Sequence, residues 1–476
     1  MTTTTAPGPQ PFLAGQRALL VGLAVLAVVS VATALGGLQL VAALAAGALV
    51  LAIVRDPRVY LFAYVILIPF DGSGSLANAA TLSRFAGLAF ALTYLIQRRG
   101  SLRVDLMGIF GWAFVAFASL SILWSIDRST SVPEVLTLVQ LFVISLMIAD
   151  MISEHPDIAR PLALVYAGSA TAIGLVGIIT WLTARSTLIA GRAEAFEGQD
   201  PAQFTAILVP AFFVFAWVSL RRPRPIPIIG TAICTVAIIV SGTRSAWIAV
   251  AIVLAVVLVP RLSRRGIATF AVAAVVGGLF LLVIPGTSDL IIDRLDTAVS
   301  SGGTGRTDIW TIALHVWGNS PIAGVGYGAF PAAITPEAIR AVNLPTADTG
   351  FLTPPVGSHS ILFGTLIELG VIGVLLLAGF FWTVLRPGQG GGDIAEVARM
   401  VVLAMLLQAF FLDVLGRKQV WLFVAIALGL AAAQAAARAR GREAELPVLE
   451  GPPRRRPVIR GPARPPDLLP GPVHGG

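Results

Sequence analysis

Long apolar runs separated by short polar segments fill most of this chain, and they constrain its fold more than any other feature. Hydrophobic residues make up 56% of the sequence and charged residues 12%, against roughly 25% charged residues in a typical soluble protein. Inside a bilayer, every backbone polar group must find its hydrogen bond within the protein, which favours helices. The sequence therefore predicts an all-α, polytopic transmembrane helix bundle.

The apolar runs define the candidate spans, because a helix that crosses a bilayer needs about 20 apolar residues. By that criterion there are about fourteen of them, at 18–36, 38–54, 58–70, 81–97, 106–124, 134–152, 158–182, 202–220, 226–241, 245–260, 266–285, 359–385, 395–414 and 419–437. The third and the ninth are short enough to be tilted or re-entrant, so we expect about 12–14 spans.

Arginine placement predicts the orientation, because cytoplasmic loops are enriched in Lys and Arg. If the N-terminus is cytoplasmic, the inner segments hold most of the arginines: Arg55, Arg58, Arg98, Arg99, Arg103, Arg160, Arg221, Arg222, Arg224, Arg261, Arg264, Arg265, and Arg454, Arg455 and Arg456 of the tail. The outer segments hold far fewer. We therefore expect an even number of spans and both termini in the cytoplasm.

The same pattern predicts five regions. Residues 1–17 and the basic, Pro- and Gly-rich tail 438–476 are expected to be disordered and cytoplasmic, because neither can bury a core. Residues 18–285 form an N-terminal bundle and 359–437 the C-terminal helices. Between the eleventh and twelfth candidate spans, residues 286–358 form a large extracytoplasmic loop domain with surface helices.

Four ionisable residues on the predicted outer side are candidates for function. Arg244 follows the tight turn Ser241-Gly242-Thr243 between two apolar runs. Helix N-termini attract anions, and the planar guanidinium binds phosphate oxygens in pairs. The alternative is an interfacial arginine that snorkels to lipid headgroups.

Arg306 begins the segment Arg306-Thr307-Asp308-Ile309-Trp310, which is typical of a helix start. Trp310, Leu314 and Trp317 follow at helical spacing, so the helix is expected to bury that stripe against the membrane surface or over a cavity. The alternative is a surface arginine paired with Asp308.

His359 stands where the chain re-enters an apolar run, and histidine is the side chain best suited to proton transfer near neutral pH. The alternative is a capping or interfacial group. Arg84 lies near the outer end of the fourth candidate span, and an ionisable group at that depth is a candidate functional residue. The alternative is again an arginine that snorkels to lipid headgroups. Arg417 and Lys418 share a short outer turn and are interpreted as topology anchors.

Several chemistries find no support in the sequence. No His, Cys and carboxylate cluster has metal-ligand spacing, and no Gly-rich phosphate loop or dinucleotide fingerprint occurs. Cys234, the only cysteine, excludes an intrachain disulfide. We therefore expect catalysis on arginines and a histidine, with no cofactor, no metal and no nucleic-acid partner.

Four segments together resemble the O-antigen ligase/polymerase family of membrane glycan transferases. Phe196-Glu197-Gly198-Gln199-Asp200-Pro201 resembles its G-x-F-x-[ND]-P approach to a helix, and Ser241-Gly242-Thr243-Arg244-Ser245-Ala246 its S-G-[ST]-R-[GS]-A turn. Residues 306–326 resemble its R-x-x-x-W…P-x-x-G-x-G loop. Ser358-His359-Ser360 with Glu368-Leu369-Gly370-Val371-Ile372-Gly373 resembles its H-N-x…E-x-G-x-x-G helix, with Ser360 where the family commonly has Asn.

The resemblance implies a glycan donor carried on polyprenyl diphosphate and transfer of the glycan to an acceptor hydroxyl, with diphosphate as the leaving group. It implies that Arg244 and Arg306 bind the diphosphate and that His359 activates the acceptor; Arg84 is expected to join them as a further diphosphate ligand. The implied location is the bacterial cytoplasmic (inner) membrane. The acceptor is open among glycan, lipid and protein.

Two other classes remain as alternatives. A lipid-linked oligosaccharide flippase or a small-anion transporter would also have many spans and cationic cavities, but it would need short connections instead of a long outer loop. A structural membrane scaffold would leave Arg244, Arg306 and His359 freely replaceable.

Overall fold

The computed structural model describes residues 55–72, 77–98, 101–184, 188, 191–196, 199–258, 306–342, 357–386, 390, 392–445 and 475–476. Every regular element in these ranges is helical. The chain divides into two compact units, Met1–Ala435 and Ala436–Gly476. The architecture and the site below belong to the first unit.

The α-helices of the described ranges are α1 Pro57–Leu67, α2 Ala77–Gln97, α3 Gly108–Leu120, α4 Arg128–Glu154, α5 Ala159–Ala184, α6 Pro201–Arg221, α7 Pro225–Val240, α8 Arg244–Val253, α9 Arg306–Trp317, α10 Phe330–Ala333, α11 Pro336–Ala341, α12 Ile361–Leu385, α13 Gly392–Ala409 and α14 Lys418–Glu445. Short 3₁₀ turns follow α1 and α3 and precede α3 and α5. A π-helical turn, Leu254–Leu258, continues α8.

Within the described ranges, 6 helical segments are long and apolar enough to cross a membrane: Val104–Leu123, Arg128–Glu154, Pro156–Ala184, Pro201–Arg221, Ile361–Leu385 and Lys418–Arg440. Shorter apolar helices cover Leu82–Gln97, Pro225–Val240 and Arg244–Val256. The prediction of an all-α, multi-pass membrane protein is confirmed. The candidate spans 18–36, 38–54 and 266–285 lie outside the described residues, so the total of 12–14 and the position of the long loop stay predictions.

Two candidate spans differ from the others in their helices. α1 has 11 residues, about 16 Å of helix at 1.5 Å per residue, which is too short to cross a hydrocarbon core alone. The candidate span 395–414 corresponds to α13, which ends earlier, at Ala409. Asp393, Glu396 and Arg399 place three charges in its first half, so it is more polar than the spanning helices.

α12 is broken at Gly370, and an outer loop fills the break. Gly370 has a φ of +64°, and a Cβ there would collide with the carbonyl of Ile322, so glycine is needed. The N–H of Val371 donates to the carbonyl of Pro321 at 3.0 Å, and the N–H of Val325 donates to the carbonyl of Ile367 at 2.9 Å. The loop 321–326 therefore satisfies backbone groups on both sides of the break.

The motif glutamate takes part in the same packing. The N–H of Gly326 donates to the Glu368 carbonyl at 2.8 Å. The Glu368 carboxylate accepts from the N–H of Phe330, the first residue of α10, at 3.3 Å. The family-like E-x-G pattern thus has a structural reason here, because it receives the loop and caps the short helix that follows it.

The loop also binds the connection between α3 and α4. The N–H of Ile126 donates to the Val325 carbonyl at 3.1 Å, and the N–H of Tyr327 donates to Ser121 Oγ at 2.9 Å. The indole N–H of Trp124 donates to the Ala323 carbonyl at 3.3 Å. The segment that follows α9 is thereby fixed between α12 and the α3–α4 connection.

α9 buries a different stripe from the one that was predicted. The residues it buries are Ile309, Ile312, Ala313 and Val316, which pack against Phe330, Ala333, Ile334 and Ile367. Trp310 and Trp317 only flank this cluster, and Leu314 is 45% exposed. The predicted Trp310–Leu314–Trp317 stripe is therefore wrong at its centre, because the core lies on the neighbouring face of the helix.

Candidate functional site

The His359 turn, Ser358-His359-Ser360, immediately precedes α12. His359 is half-buried and has a φ of +46°, in the left-handed region that residues other than glycine seldom adopt. Ser358 Oγ donates to the Ser360 carbonyl at 3.0 Å and accepts from the Ser360 N–H at 3.3 Å. Hydrogen bonds from one serine to the other therefore hold the histidine backbone in this conformation.

Ser360 is the N-cap of α12, and its Oγ accepts from the N–H of Phe363 at 3.4 Å. Ser and Asn are favoured about equally at N-caps, since either side chain can accept that bond. The replacement of the family's usual Asn by Ser360 thus keeps the capping of the helix that carries the turn.

Trp310 joins α9 to the His359 turn. Its indole N–H donates to the Ser358 carbonyl at 3.4 Å, and its ring stacks on Phe363 at a centroid distance of 4.8 Å. Arg306 opens α9 four residues earlier, and residues four apart lie on the same helix face. The backbone of Arg306 is therefore one helical turn from the residue that contacts the His359 turn. The Arg306 side chain lies outside the described residues.

The predicted tight turn before Arg244 is confirmed. α7 ends at Val240, Gly242 has a φ of +62°, and Arg244 is the first residue of α8. Thr243 Oγ1 donates to the Pro201 carbonyl, at the start of α6, at 3.1 Å. The half-buried Arg244 thus stands at the N-terminus of a helix, where the first backbone N–H groups favour an anion.

Arg192 supports this turn from the preceding segment. Its Nε donates to the Ser241 carbonyl at 2.8 Å and its Nη2 donates to Thr243 Oγ1 at 3.0 Å. The N–H of Ala193 also donates to the Val240 carbonyl at 3.0 Å. Arg192, which was not among the residues predicted from the sequence, is therefore a positioning residue for the turn that leads to Arg244.

A series of contacts brings these turns to one end of the bundle, which we call the His359 end. Trp310 contacts the Phe410 ring just after α13, at a centroid distance of 5.6 Å. Gln408 at the end of α13 donates to Thr205 Oγ1 in the first turns of α6 at 2.8 Å. The start of α6 in turn holds the Arg244 turn. The His359 turn, the start of α9 and the Arg244 turn therefore lie at the same end.

Arg84 lines a cavity at this end. The cavity has a volume of about 160 Å³ and is lined by Ile68, Asp71, Arg84, Thr137, Gln140, Leu141, Gln203, Ile207, Gly416, Arg417, Lys418 and Gln419. Lys418 Nζ forms an ion pair with Asp71 Oδ2 at 2.5 Å. Ser83 Oγ donates to Asp71 Oδ1 at 2.6 Å and also contacts Lys418 Nζ. Burial raises the pKa of the Asp71 carboxyl, and Lys418 opposes that rise.

Arg417 was interpreted as a topology anchor with Lys418, but the two line the same cavity as Arg84. Burial lowers the pKa of the Arg417 guanidinium, an effect opposed by Asp413, Asp200 and Asp71. Two adjacent cations on an outer turn, against the positive-inside trend, were the signal that could have marked this residue.

Among the residues the structure describes, no group of three or more His, Cys, Asp or Glu side chains could hold a metal ion. Metal-independent chemistry remains a prediction.

Residues 229–378 match the family model described as O-Antigen ligase. The match includes the Arg244 turn, α9 with its loop, and the His359 turn with the α12 break. No curated protein matches the chain. The match supports membrane glycan transfer of the O-antigen ligase or polymerase type. This chain is thus a multi-pass membrane protein in which residues 229–378 are similar to the O-antigen ligase family.

Proposed function

We propose that this protein is a metal-independent glycosyltransferase of the bacterial cytoplasmic membrane. It moves a glycan from a polyprenyl diphosphate donor to an acceptor hydroxyl at the outer face. The observation that carries the proposal is the strained His359 turn, joined through Trp310 to the helix that begins at Arg306. Strained backbone of this kind concentrates at active sites.

The orientation is supported by the distribution of charge between the two ends of the bundle. Arg98, Arg221 and Arg222 lie at the helix ends opposite the His359 end. Arginine enrichment favours the cytoplasm for that end. The His359 end therefore faces outward, where a lipid-linked donor is presented after its glycan has crossed the membrane.

The chemistry follows from the residues at this end. His359 accepts the proton of the acceptor hydroxyl as its oxygen bonds to the anomeric carbon of the glycan. The bond from that carbon to the diphosphate oxygen breaks, and the diphosphate leaves with the electron pair. Arg244, Arg306 and Arg84 stabilise the negative charge that develops on it. Fixed donors at such a position contribute about 10²–10³ in rate each, and a general base about 10²–10⁴.

The proposal is tested by glycan transfer in detergent, with a polyprenyl diphosphate-linked glycan and EDTA present. His359→Ala is expected to lower the rate by about 10²–10⁴, because the acceptor loses its base. His155→Ala is the matched control, since His155 is an exposed histidine that follows α4 at the opposite end, and it is expected to keep wild-type turnover.

Undiminished transfer by His359→Ala would remove this residue from the mechanism. Loss of activity on adding EDTA would contradict the metal-free chemistry. Movement of the intact donor across liposome membranes, with no transfer of its glycan, would instead assign the protein to the transporters.

A further inference from the structure

The cavity at the His359 end carries more cationic than anionic charge. Its lining includes three cations, Arg84, Arg417 and Lys418, and one carboxylate, Asp71. The side chains of Lys418 and Asp71 are 11% and 21% exposed and lie within an ion pair. They neutralise one another, so the other two cations of the lining are Arg84 and Arg417. Asp413 and Asp200 interact electrostatically with Arg417 but do not line the cavity.

These two guanidinium groups keep their donors available. Within the described part of the chain, neither side chain makes a hydrogen bond or an ion pair at contact distance. Arginine inside a protein is costly unless it is paired or faces a polar cavity. Each guanidinium carries five N–H donors in a rigid planar arrangement, which favours an anionic ligand with several oxygens.

The turn that carries Arg417 is fixed by hydrogen bonds of its own. The N–H of Arg417 donates to the Val414 carbonyl at 2.9 Å, and the N–H of Leu415 donates to Asp413 Oδ1 at 3.1 Å. The indole N–H of Trp421 donates to the Leu415 carbonyl at 2.7 Å. A rigid support lets the guanidinium bind a ligand with little further loss of conformational entropy.

The remaining lining adds neutral polar side chains, and the volume of the cavity limits the size of the ligand. Thr137, Gln140 and Gln203 face the same space. At about 160 Å³ the cavity is smaller than the roughly 300–1,000 Å³ of sites for drug-sized molecules. It therefore fits a small polyanionic group rather than a glycan. Asp413 interacts electrostatically with both Arg417 and His359, so the Arg417 side of the cavity and the proposed base share one carboxylate neighbour.

From these observations we infer that the cavity is a phosphate-binding subsite, with Arg417 as its principal ligand beside Arg84. The bound group is the diphosphate of the lipid-linked donor, an identification that rests on the proposed function. Arg417 then shares with Arg244 and Arg306 the oxygens of one diphosphate, approached from the side of α2, α4 and α6.

Binding is measured with inorganic pyrophosphate on the purified full chain in detergent, from the shift in thermal unfolding at constant ionic strength. Wild type is expected to be stabilised as pyrophosphate rises. Arg417→Gln is expected to weaken the pyrophosphate Kd by about tenfold or more, since it removes charge-assisted hydrogen bonds to the ligand.

Arg128→Gln is the matched control. Arg128 is an exposed arginine at the same end, and its Nη2 donates to the Leu123 carbonyl; its loss should leave the Kd unchanged. Arg417→Lys keeps the charge without the fork and gives an intermediate Kd, which covers the case in which Arg417→Gln does not fold. A pyrophosphate Kd equal to wild type in either Arg417 variant would overturn the inference.

The donor assay separates this inference from the proposed function. Glycan transfer with an unchanged donor KM in Arg417→Gln would refute the subsite and leave the transferase standing. Pyrophosphate binding that depends on Arg417, in a protein that transfers no glycan, would keep the subsite and refute the transferase. Stabilisation by phosphatidylglycerol and not by pyrophosphate would show a lipid-headgroup site and overturn the assignment.

Discussion

The arginines at the two ends of the bundle have opposite surroundings. At the end predicted to be cytoplasmic, Arg98 Nε pairs with Asp150 at 2.8 Å and its Nη1 with Glu154 at 2.7 Å. Tyr94 OH donates to Asp150 at 2.8 Å, and Asp150 is fully buried. At the His359 end, Arg84 and Arg417 face a cavity instead of a carboxylate at contact distance.

The difference separates charges that hold the fold from charges that are available to a ligand. A buried ion pair whose partners are both present is closed to other molecules, and losing one partner leaves an uncompensated charge. An arginine beside a cavity can form charge-assisted hydrogen bonds with an anion that enters the cavity. Arg84 lies in the N-terminal half of α2 and Arg98 directly follows its C-terminus. Residue type and proximity to one helix therefore do not distinguish the two roles.

The largest effect on stability is expected at the end predicted to be cytoplasmic, where Arg98 is paired. Asp150→Asn removes a charge from the buried pair and should lower the free energy of unfolding by about 3–5 kcal/mol, measured by thermal unfolding in detergent. The folded fraction should transfer glycan at the wild-type rate. Asp105→Asn breaks the exposed Arg103–Asp105 pair at the same end and should cost no more than about 1 kcal/mol. Equal stability of Asp150→Asn and Asp105→Asn would show that the buried pair contributes no more to the fold than the exposed pair.

Arg84→Gln tests the arginines of the His359 end. We expect the rate of glycan transfer to fall by about 10²–10³, because one donor to the developing negative charge is lost. The unfolding temperature should stay close to that of wild type, since Arg84 makes no ion pair at contact distance within the described residues. A large loss of stability with normal turnover would give Arg84 the same structural role as Arg98.

Gly370→Ala gives a smaller, mainly structural effect that sharpens the comparison. The left-handed backbone and the Ile322 carbonyl both oppose a side chain, so we expect about 1–3 kcal/mol of destabilisation. Gly168→Ala in α5 is the control, because a Cβ there meets no atom within 4 Å, and it should be neutral or slightly stabilising. Equal unfolding temperatures of Gly370→Ala and Gly168→Ala would show that the packing of residues 321–326 against α12 does not require glycine at position 370.

Much of the fold could be predicted from hydropathy, for a physical reason. Each candidate span from 58–70 to 245–260 and from 359–385 to 419–437 coincides with a helix, because a long apolar run in lipid has few other ways to satisfy its backbone. The Arg244 turn was equally predictable, since Ser-Gly-Thr between two apolar runs is typical of a tight reversal.

The cavity and the loop insertion could not be predicted in the same way. Asp71 and Lys418 form an ion pair although they are far apart in the sequence. Only tertiary packing therefore shows that Lys418 is paired at contact distance and that Arg417, within the described residues, is not. Gly370 belonged to a recognised motif, but the backbone of residues 321–326 that pairs with it comes from a distant segment. The stripe on α9 was misjudged because tryptophans flank the core that Ile309 and Ile312 form.

The insertion of residues 321–326 into α12 has a mechanical consequence. The loop is hydrogen-bonded on both sides of Gly370, α9 is attached to it through the turn 318–320, and Trp310 ties α9 back to the residue before His359. These connections form a closed ring through the first half of α12, residues 321–326 and α9, and its last link is the Trp310 side chain. A ring of this kind favours movement of that half-helix and α9 as one body, so we expect the spacing between His359 and the start of α9 to vary less than the distance from either to the Arg244 turn.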